Sequence, residues 1–336
     1  MIDQYKRNIN YMRISITDRC NLRCAYCMPA EGIESIPHQD ILTYDELIYI
    51  VQTGVSLGIR HIKVTGGEPF VRKDVMHLLH GLKAIPGLES VTISSNGLLI
   101  GPYISELAKI GIDGINISLD TMNPTRFHKL TGSDCVQTVI DNIYTIARET
   151  TIPVKVNCVP LYLDSIRTSM QDRMDIIEFA KHDNIHVRFI EMMPIGCGKK
   201  FTLVSEDEIR SEIEDHYGTL TPCFKSLGNG PSSYYSVPGL QGNIGFISAV
   251  SHKFCNSCNR IRLSSQGYLQ TCLQYDQGYQ LRPYLRSGDP SQLIEIMRDA
   301  IYGKPKEHQF ARSNNEDKAD VSAANTCTKT MSSIGG

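Results

Sequence analysis

Six of the 11 cysteines of this 336-residue chain fall into two groups of three. Cys20, Cys24 and Cys27 read C-x3-C-x2-C within "CNLRCAYC", and Cys255, Cys258 and Cys272 read C-x2-C-x13-C within "CNSCNRIRLSSQGYLQTC". Thiolates at such spacings hold metal: a closed structural zinc site takes four protein ligands, and iron–sulfur clusters are wrapped by cysteines on short loops. Each group stops at three, which leaves one coordination position for something else. Cys223 or His252 could complete a zinc ribbon around the second group. An open cluster flanked by Arg260 and Arg262 instead suits an anionic substrate. The odd cysteine count and tight spacings fit metal ligation in a reducing compartment better than a disulfide framework.

The elements that must position these residues are legible as alternating β-rich and helical stretches. Strands are predicted at 13–17, 61–65, 91–95, 114–119, 153–159 and 186–191, with helices at 43–57, 72–83, 102–110, 137–148 and 170–182. Thr43 with Glu46, and Ser205 with Glu208, have the form of capping boxes. Such alternation implies parallel strands with right-handed crossovers, in an incomplete barrel or an open doubly wound sheet.

The strand faces separate these two. Parallel strands covered by helices on both sides are apolar throughout. Here one face carries Arg13, Ser15 and Thr17, then Lys63 and Thr65, then Thr92, Ser94 and Asn96. It continues through Asn116, Ser118 and Asp120, then Lys155 and Asn157, then Arg188, while the opposite face is Ile, Val and Phe. A polar lumen explains this, and its cations call for an anionic occupant. The expectation is therefore an α/β fold, an incomplete (β/α)6-type barrel over 1–193, with the first cysteine group on the carboxyl-end rim where barrel sites form. An extension over 194–303 carries the second group, with helices at 205–217 and 290–301, and 304–336 is an irregular tail ending in diglycine.

A net charge of −2 argues against a general nucleic-acid-binding surface. No apolar run approaches membrane-spanning length. The opening "MIDQYKRNINYMRIS" lacks the apolar core of a secretory signal, so an intracellular protein, or a catalytic fragment whose targeting segment is missing, is expected.

The first cysteine motif, with Tyr26 before its last cysteine, and "GGEP" at 66–69 ending the second strand resemble the radical S-adenosylmethionine (SAM) superfamily. The resemblance implies that three cysteines hold three irons of a [4Fe–4S] cluster and that SAM binds the fourth. The ordered set "ITDRCNLRCAYCMP", "TGGEP", "NISLD", "RFIEMMP", "CNSCNRIRL" and Gly335–Gly336 is similar, more narrowly, to the GTP 3′,8-cyclase family of molybdenum cofactor biosynthesis. This implies a lyase with two [4Fe–4S] clusters, held by Cys20, Cys24 and Cys27 and by Cys255, Cys258 and Cys272. A 5′-deoxyadenosyl radical from SAM would remove the C3′ hydrogen of GTP, and closure onto C8 gives 3′,8-cyclo-7,8-dihydro-GTP. The resemblance assigns SAM to Tyr26, Gly67, Ser118 and Met193, and GTP to Arg13, Lys63, Ser94, Lys155 and Arg260, Ile261 and Arg262. Arg188 also points inward and is expected as a catalytic residue with an electrostatic role near either ligand.

This chain departs from the family pattern at Lys63, where arginine is usual, and at Ser94, where threonine is usual. Lys63 keeps the charge but not bidentate geometry. The arginine that usually precedes the diglycine has no aligned counterpart, Lys329 being the nearest cation. Cys135, Cys158, Cys197 and Cys327 are expected as small buried hydrophobes. Implied partners are GTP, an electron donor and the next, pyranopterin-forming enzyme, with a homodimer left open. The implied location is the cytoplasm, or the mitochondrial matrix if the chain is a eukaryotic fragment. The competing expectations are a radical SAM peptide-modifying enzyme and a non-catalytic iron–sulfur paralogue.

Overall fold

The structure, a computed structural model, describes residues 1–310 apart from 35, 164, 165 and 288. The chain forms two compact units. Unit one takes the described residues of 1–21, 31–93 and 254–310; unit two takes those of 22–30 and 94–253. Compactness thus cuts across the sequential boundary at 193, because the late strands pair with early ones inside each unit.

Unit one begins with β1 (Tyr11–Ser15), α1 (Tyr44–Ser56), β2 (His61–Thr65), α2 (Val75–Lys83) and β3 (Ser90–Ser95), the division falling within β3. The three strands run parallel. Helix α1 starts where expected because Thr43 accepts from the Glu46 N–H while the Glu46 carboxylate accepts from the Thr43 N–H.

Unit two contains α3 (Ile104–Lys109), β4 (Gly114–Ser118), α4 (Pro124–Thr131), α5 (Val136–Glu149), β5 (Val154–Cys158), β6 (Leu161–Leu163), β7 (Ile166–Arg167), α6 (Met170–Ile177) and β8 (Ile185–Ile190). It continues with β9 (Thr202–Leu203), α7 (Glu206–Tyr217), β10 (Thr221–Cys223), β11 (Ser233–Ser236) and β12 (Ile244–Ile247). Strands β4, β5, β8 and β12 lie side by side and parallel, followed by antiparallel β11 and β10. A small antiparallel sheet runs β7–β6–β9. Ser205 caps α7 by accepting from the Glu208 N–H, but the Glu208 carboxylate accepts from the Tyr162 hydroxyl at 3.3 Å.

The chain then returns to unit one as β13 (Arg260–Leu263), β14 (Tyr268–Gln270), β15 (Gly278–Gln280), α8 (Arg282–Arg286) and α9 (Pro290–Tyr302). Strand β13 adds parallel to β1, and β14 and β15 follow antiparallel.

All six expected parallel strands are present, and their Ile, Val and Phe faces form the core: Ile14, Ile62, Ile93, Ile117, Val156 and Val187 are each 1% exposed or less. That burial of aliphatic surface is the main stabilising term of both units. The cations of the polar faces are enclosed as well, with Lys63 at 7% and Lys155 and Arg188 at 8% exposed.

Candidate active site

In unit one the strand register lines up three cations. Arg13 on β1 is paired with Lys63 on β2 and with Arg262 on β13, so a Lys63–Arg13–Arg262 row crosses three adjacent strands. Burial, then the charges of Arg13 and Arg260, push Arg262 well below its ordinary value. A guanidinium does not release its proton in practice, so the physical content is crowded positive charge that an anion would relieve. Arg260 packs its guanidinium over the Phe254 ring at 5.0 Å. Ile261 is fully buried on the opposite face of β13, which leaves only its main chain on the side of Arg260 and Arg262.

The approach to Cys20 is fixed by the "GGEP" stretch. Gly67 N–H donates to Thr17 O at 2.7 Å and Glu68 N–H to Arg19 O at 2.8 Å. A Cβ on Gly67 would stand 2.2 Å from the Arg19 carbonyl oxygen, so only glycine allows this approach. Asp18 accepts from the Ile36 N–H at 2.9 Å, and Arg72 donates to Ile16 O at 2.6 Å. Cys20 itself is half-buried.

The second cysteine group lies wholly in unit one. The buried Arg7 guanidinium pairs with Asp3 at 2.6 Å and donates to the carbonyls of Cys255 at 3.0 Å, Pro305 at 2.7 Å and Lys306 at 2.8 Å. Lys304, also buried, donates to the Thr271 carbonyl beside Cys272. Burial alone would raise the Cys258 thiol, but Lys304 and Arg260 outweigh it and bring it down to about 6. Burial raises Cys255, opposed by a main-chain hydrogen bond from His308. A thiol drawn toward thiolate by neighbouring cations is suited to metal ligation.

In unit two the remaining part of the first motif is a tight turn. Cys27 and Met28 N–H both donate to Cys24 O, at 2.9 and 3.0 Å. The turn is tied to the end of α4 by Arg23 N–H to Thr131 O at 2.8 Å and Ala25 N–H to Leu130 O at 2.9 Å. The sequence reading did not anticipate α4, which buries little beyond Phe127, Leu130 and Thr131. The Tyr26 hydroxyl donates to Asp120 at 2.8 Å. Ser118 is exposed at the end of β4, and Met193 is half-buried just past β8. Ser94 is half-buried at the end of β3.

The cations of unit two are also in register. Lys155 pairs with His186, and Asn157 with Arg188, on adjacent β5 and β8. Arg188 Nε and Nη2 both donate to Asn157 Oδ1, at 2.9 and 2.6 Å. Burial, then Arg188, lower Lys155 to about 8. His186 was missed, although its place two residues before Arg188 puts it on the same strand face. Burial, then Lys155 and Arg188, lower it to about 4. Its Nδ1 accepts from the Asn243 N–H at 3.0 Å, so the neutral ring carries its proton on Nε2.

Among the described residues no three His, Cys, Asp or Glu side chains converge closely enough to share one metal ion. A cubane makes a different demand, since each cysteine ligates its own iron. The residue chemistry suits that demand, since none of the six cysteines forms a disulfide. Cys223 lies on β10, and His252 faces Glu206 at 3.7 Å and Ser251 at 3.2 Å. Cys158 is buried and Cys197 half-buried, but Cys135 is exposed, contrary to expectation, because it precedes α5 at its surface end. Cys327, Lys329, Gly335 and Gly336 lie outside the described residues. No helix among the described residues is long and apolar enough to cross a membrane.

A family model described as Radical SAM superfamily matches residues 14–180, and one described as Molybdenum Cofactor Synthesis C matches 185–310. A GTP 3′,8-cyclase of Clostridium perfringens (strain SM101 / Type A) is 39% identical over 322 residues, 95% of this chain and 98% of that one. One from Listeria monocytogenes serovar 1/2a is 36% identical over 338 residues, 99% of this chain and 98% of that one. One from Petrotoga mobilis is 38% identical over the full length of both chains. Among solved structures, Streptococcus suis SuiB bound to S-adenosylmethionine superposes with a TM-score of 0.61 at 16% identity, covering 88% of this chain and 67% of that one. At that identity the likeness concerns the fold, an α/β fold of the radical SAM kind. The chain belongs to the GTP 3′,8-cyclase family of radical SAM enzymes.

Proposed function

We propose that this chain is a lyase that converts GTP to 3′,8-cyclo-7,8-dihydro-GTP, the first step of molybdenum cofactor biosynthesis. The observation that carries the substrate is the in-register Lys63–Arg13–Arg262 row, a charge array that suits a polyphosphate. Cys20, Cys24 and Cys27 would hold one [4Fe–4S] cluster, and Cys255, Cys258 and Cys272 a second. Tyr26, Gly67, Ser118 and Met193 would hold SAM. When bound, the first cluster and SAM supply a radical able to remove hydrogen from an unactivated C–H bond.

The protein's own contribution is charge, orientation and exclusion of water. Arg13, Lys63, Lys155 and Arg262 would meet triphosphate oxygens, with Lys63 acting as a point charge rather than a fork. Ser94 would donate a hydroxyl, Arg260 a guanidinium and Ile261 its main chain. Arg188, its fork anchored on Asn157, would present fixed positive charge near the reacting centre. An external one-electron donor, product hand-off to the pyranopterin-forming enzyme and a cytoplasmic location complete the proposal. A peptide substrate is the second reading, but the likeness to SuiB is one of fold and does not favour it.

The test is anaerobic incubation of cluster-reconstituted protein with dithionite, SAM and GTP, following 5′-deoxyadenosine by mass spectrometry. Stimulation by GTP, with deuterium from 3′-labelled GTP recovered in 5′-deoxyadenosine, is expected. SAM cleavage indifferent to GTP would point to another substrate, and no cleavage with verified clusters to a non-catalytic paralogue.

A further inference from the structure

Besides its main-chain bonds to the end of α4, the cysteine turn of unit two is fastened by a side-chain hydrogen bond. Tyr26 stands between Cys24 and Cys27, its ring edge-on to Phe201 at 6.5 Å, in an apolar cluster with Leu130, Leu161 and Met192. A phenol in such surroundings needs a partner, since an unsatisfied buried hydroxyl is costly. That partner is Asp120 Oδ2 at 2.8 Å. Asp120 is 5% exposed, and its Oδ1 accepts from the Val159 N–H at 2.7 Å. Its main-chain oxygen accepts from the Cys158 thiol at 3.7 Å. One residue therefore joins the end of β4, the end of β5 and the cysteine turn. Burial raises its carboxyl to about 6, against the bonds from Val159 and Tyr26, so at neutral pH it remains a carboxylate that accepts both.

Asp120 also follows Ser118 by two residues, so whatever fixes Asp120 fixes the end of β4. We propose that Asp120 is a positioning residue for S-adenosylmethionine: through its bond to Tyr26 it holds the Cys24–Cys27 turn in a set relation to Ser118 before the cofactor arrives. This rests on the assignment of SAM to Tyr26 and Ser118 above and adds to it a residue that acts through Tyr26. The physical effect is preorganisation. Without the bond, the turn keeps its main-chain ties to α4 but SAM binding must also fix the Tyr26 side chain against the end of β4, and affinity falls.

The test uses the full chain with clusters loaded. SAM affinity is measured by isothermal titration calorimetry for wild type, Tyr26→Phe, Asp120→Ala, Asp120→Asn and the Tyr26→Phe/Asp120→Ala pair. Iron content and the change in the reduced cluster's EPR spectrum on adding SAM are recorded alongside. Tyr26→Phe and Asp120→Ala are each expected to raise the SAM Kd about tenfold, the scale of one buried hydrogen bond. The pair should be no weaker than Asp120→Ala alone, because the two act through one bond. Asp120→Asn keeps an acceptor for Val159 and a polar group for Tyr26, and should recover most of the affinity. Unchanged Kd in both single variants, or losses that multiply in the pair, would overturn the proposal. If Asp120→Ala does not fold, Tyr26→Phe decides alone, because it removes the same bond and leaves Asp120 on Val159. A wild type that binds no SAM despite full iron loading would instead overturn the SAM assignment, and this proposal with it.

Discussion

Replacing Lys155 with methionine should make the chain more stable at neutral pH and weaken its hold on a polyphosphate. Lys155 is buried on β5, where burial and then the Arg188 charge bring it from an ordinary 10.5 to about 8. The unfolded lysine keeps its proton throughout that interval while the folded one gives it up. Stability therefore rises with pH between about 8 and 10.5, and the full penalty applies below 8. A displacement of this size corresponds to about 3 kcal/mol at pH 7. Methionine fills a similar volume without charge, so a net gain of about 1–3 kcal/mol is expected after repacking. Urea denaturation of the iron-free chain at pH 7 and at pH 9.5 measures the gap between wild type and variant. The gap should be widest at pH 7 and should narrow at the higher pH. Inorganic tripolyphosphate should stabilise the wild type more than the variant, by linkage. A variant less stable than wild type at pH 7, or a gap independent of pH, would refute the electrostatic account of this residue.

Gly67→Ala should destabilise the chain by about 2 kcal/mol or more and reduce iron loading, since its Cβ would meet Arg19 O at 2.2 Å. Gly111→Ala, at φ +72 with nothing within 4 Å, is the control and should cost only about 1 kcal/mol; denaturation and iron assays compare the two. Arg7→Met should cost about 3–5 kcal/mol by leaving Asp3 buried without its cation. Adding Asp3→Asn should return part of that loss, read as a shift in Tm. Asn157→Ala removes the acceptor shared by Arg188 Nε and Nη2 and should lower kcat/KM about tenfold and Tm with it, since a buried guanidinium loses a partner; steady-state kinetics with GTP and thermal melts check it.

The strands were legible because one face of each is aliphatic and the other polar, a period that survives in sequence whatever the strand's neighbours. The same alternation put Lys63, Lys155 and Arg188 on enclosed faces, where burial now finds them. Helix α4 was missed although Asn123 caps it, Pro124 opens it, Gly132 closes it and Phe127, Leu130 and Thr131 share one face; with eight residues it offers no second repeat of that spacing. Glu208 illustrates a different limit: the capping pattern was there, but Tyr162 competes for its carboxylate. Pairing of β13 with β1 joins residues some 249 positions apart, and Tyr26 meets Asp120 across 94. Nothing periodic in a chain announces a partner at that separation, so the composition of the two compact units had to come from structure.

The chain's treatment of its buried cations separates those that hold the fold from those kept for something else. Arg7 meets Asp3 at 2.6 Å, and Arg173 meets Glu212. Each places a carboxylate against the guanidinium, which is how a buried charge is ordinarily made tolerable. Lys155 stands in a different environment: the charge that shifts it is the like charge of Arg188, and the histidine paired with it on β8 is held neutral. Structure alone gives no reason to hold such an ammonium inside a strand face, since methionine would fill the place at lower cost. An arriving anion gives one, because it would convert mutual repulsion into attraction at the moment of binding. The stability gained by Lys155→Met and the affinity lost with it are then two measures of one quantity, and they should be found together or not at all.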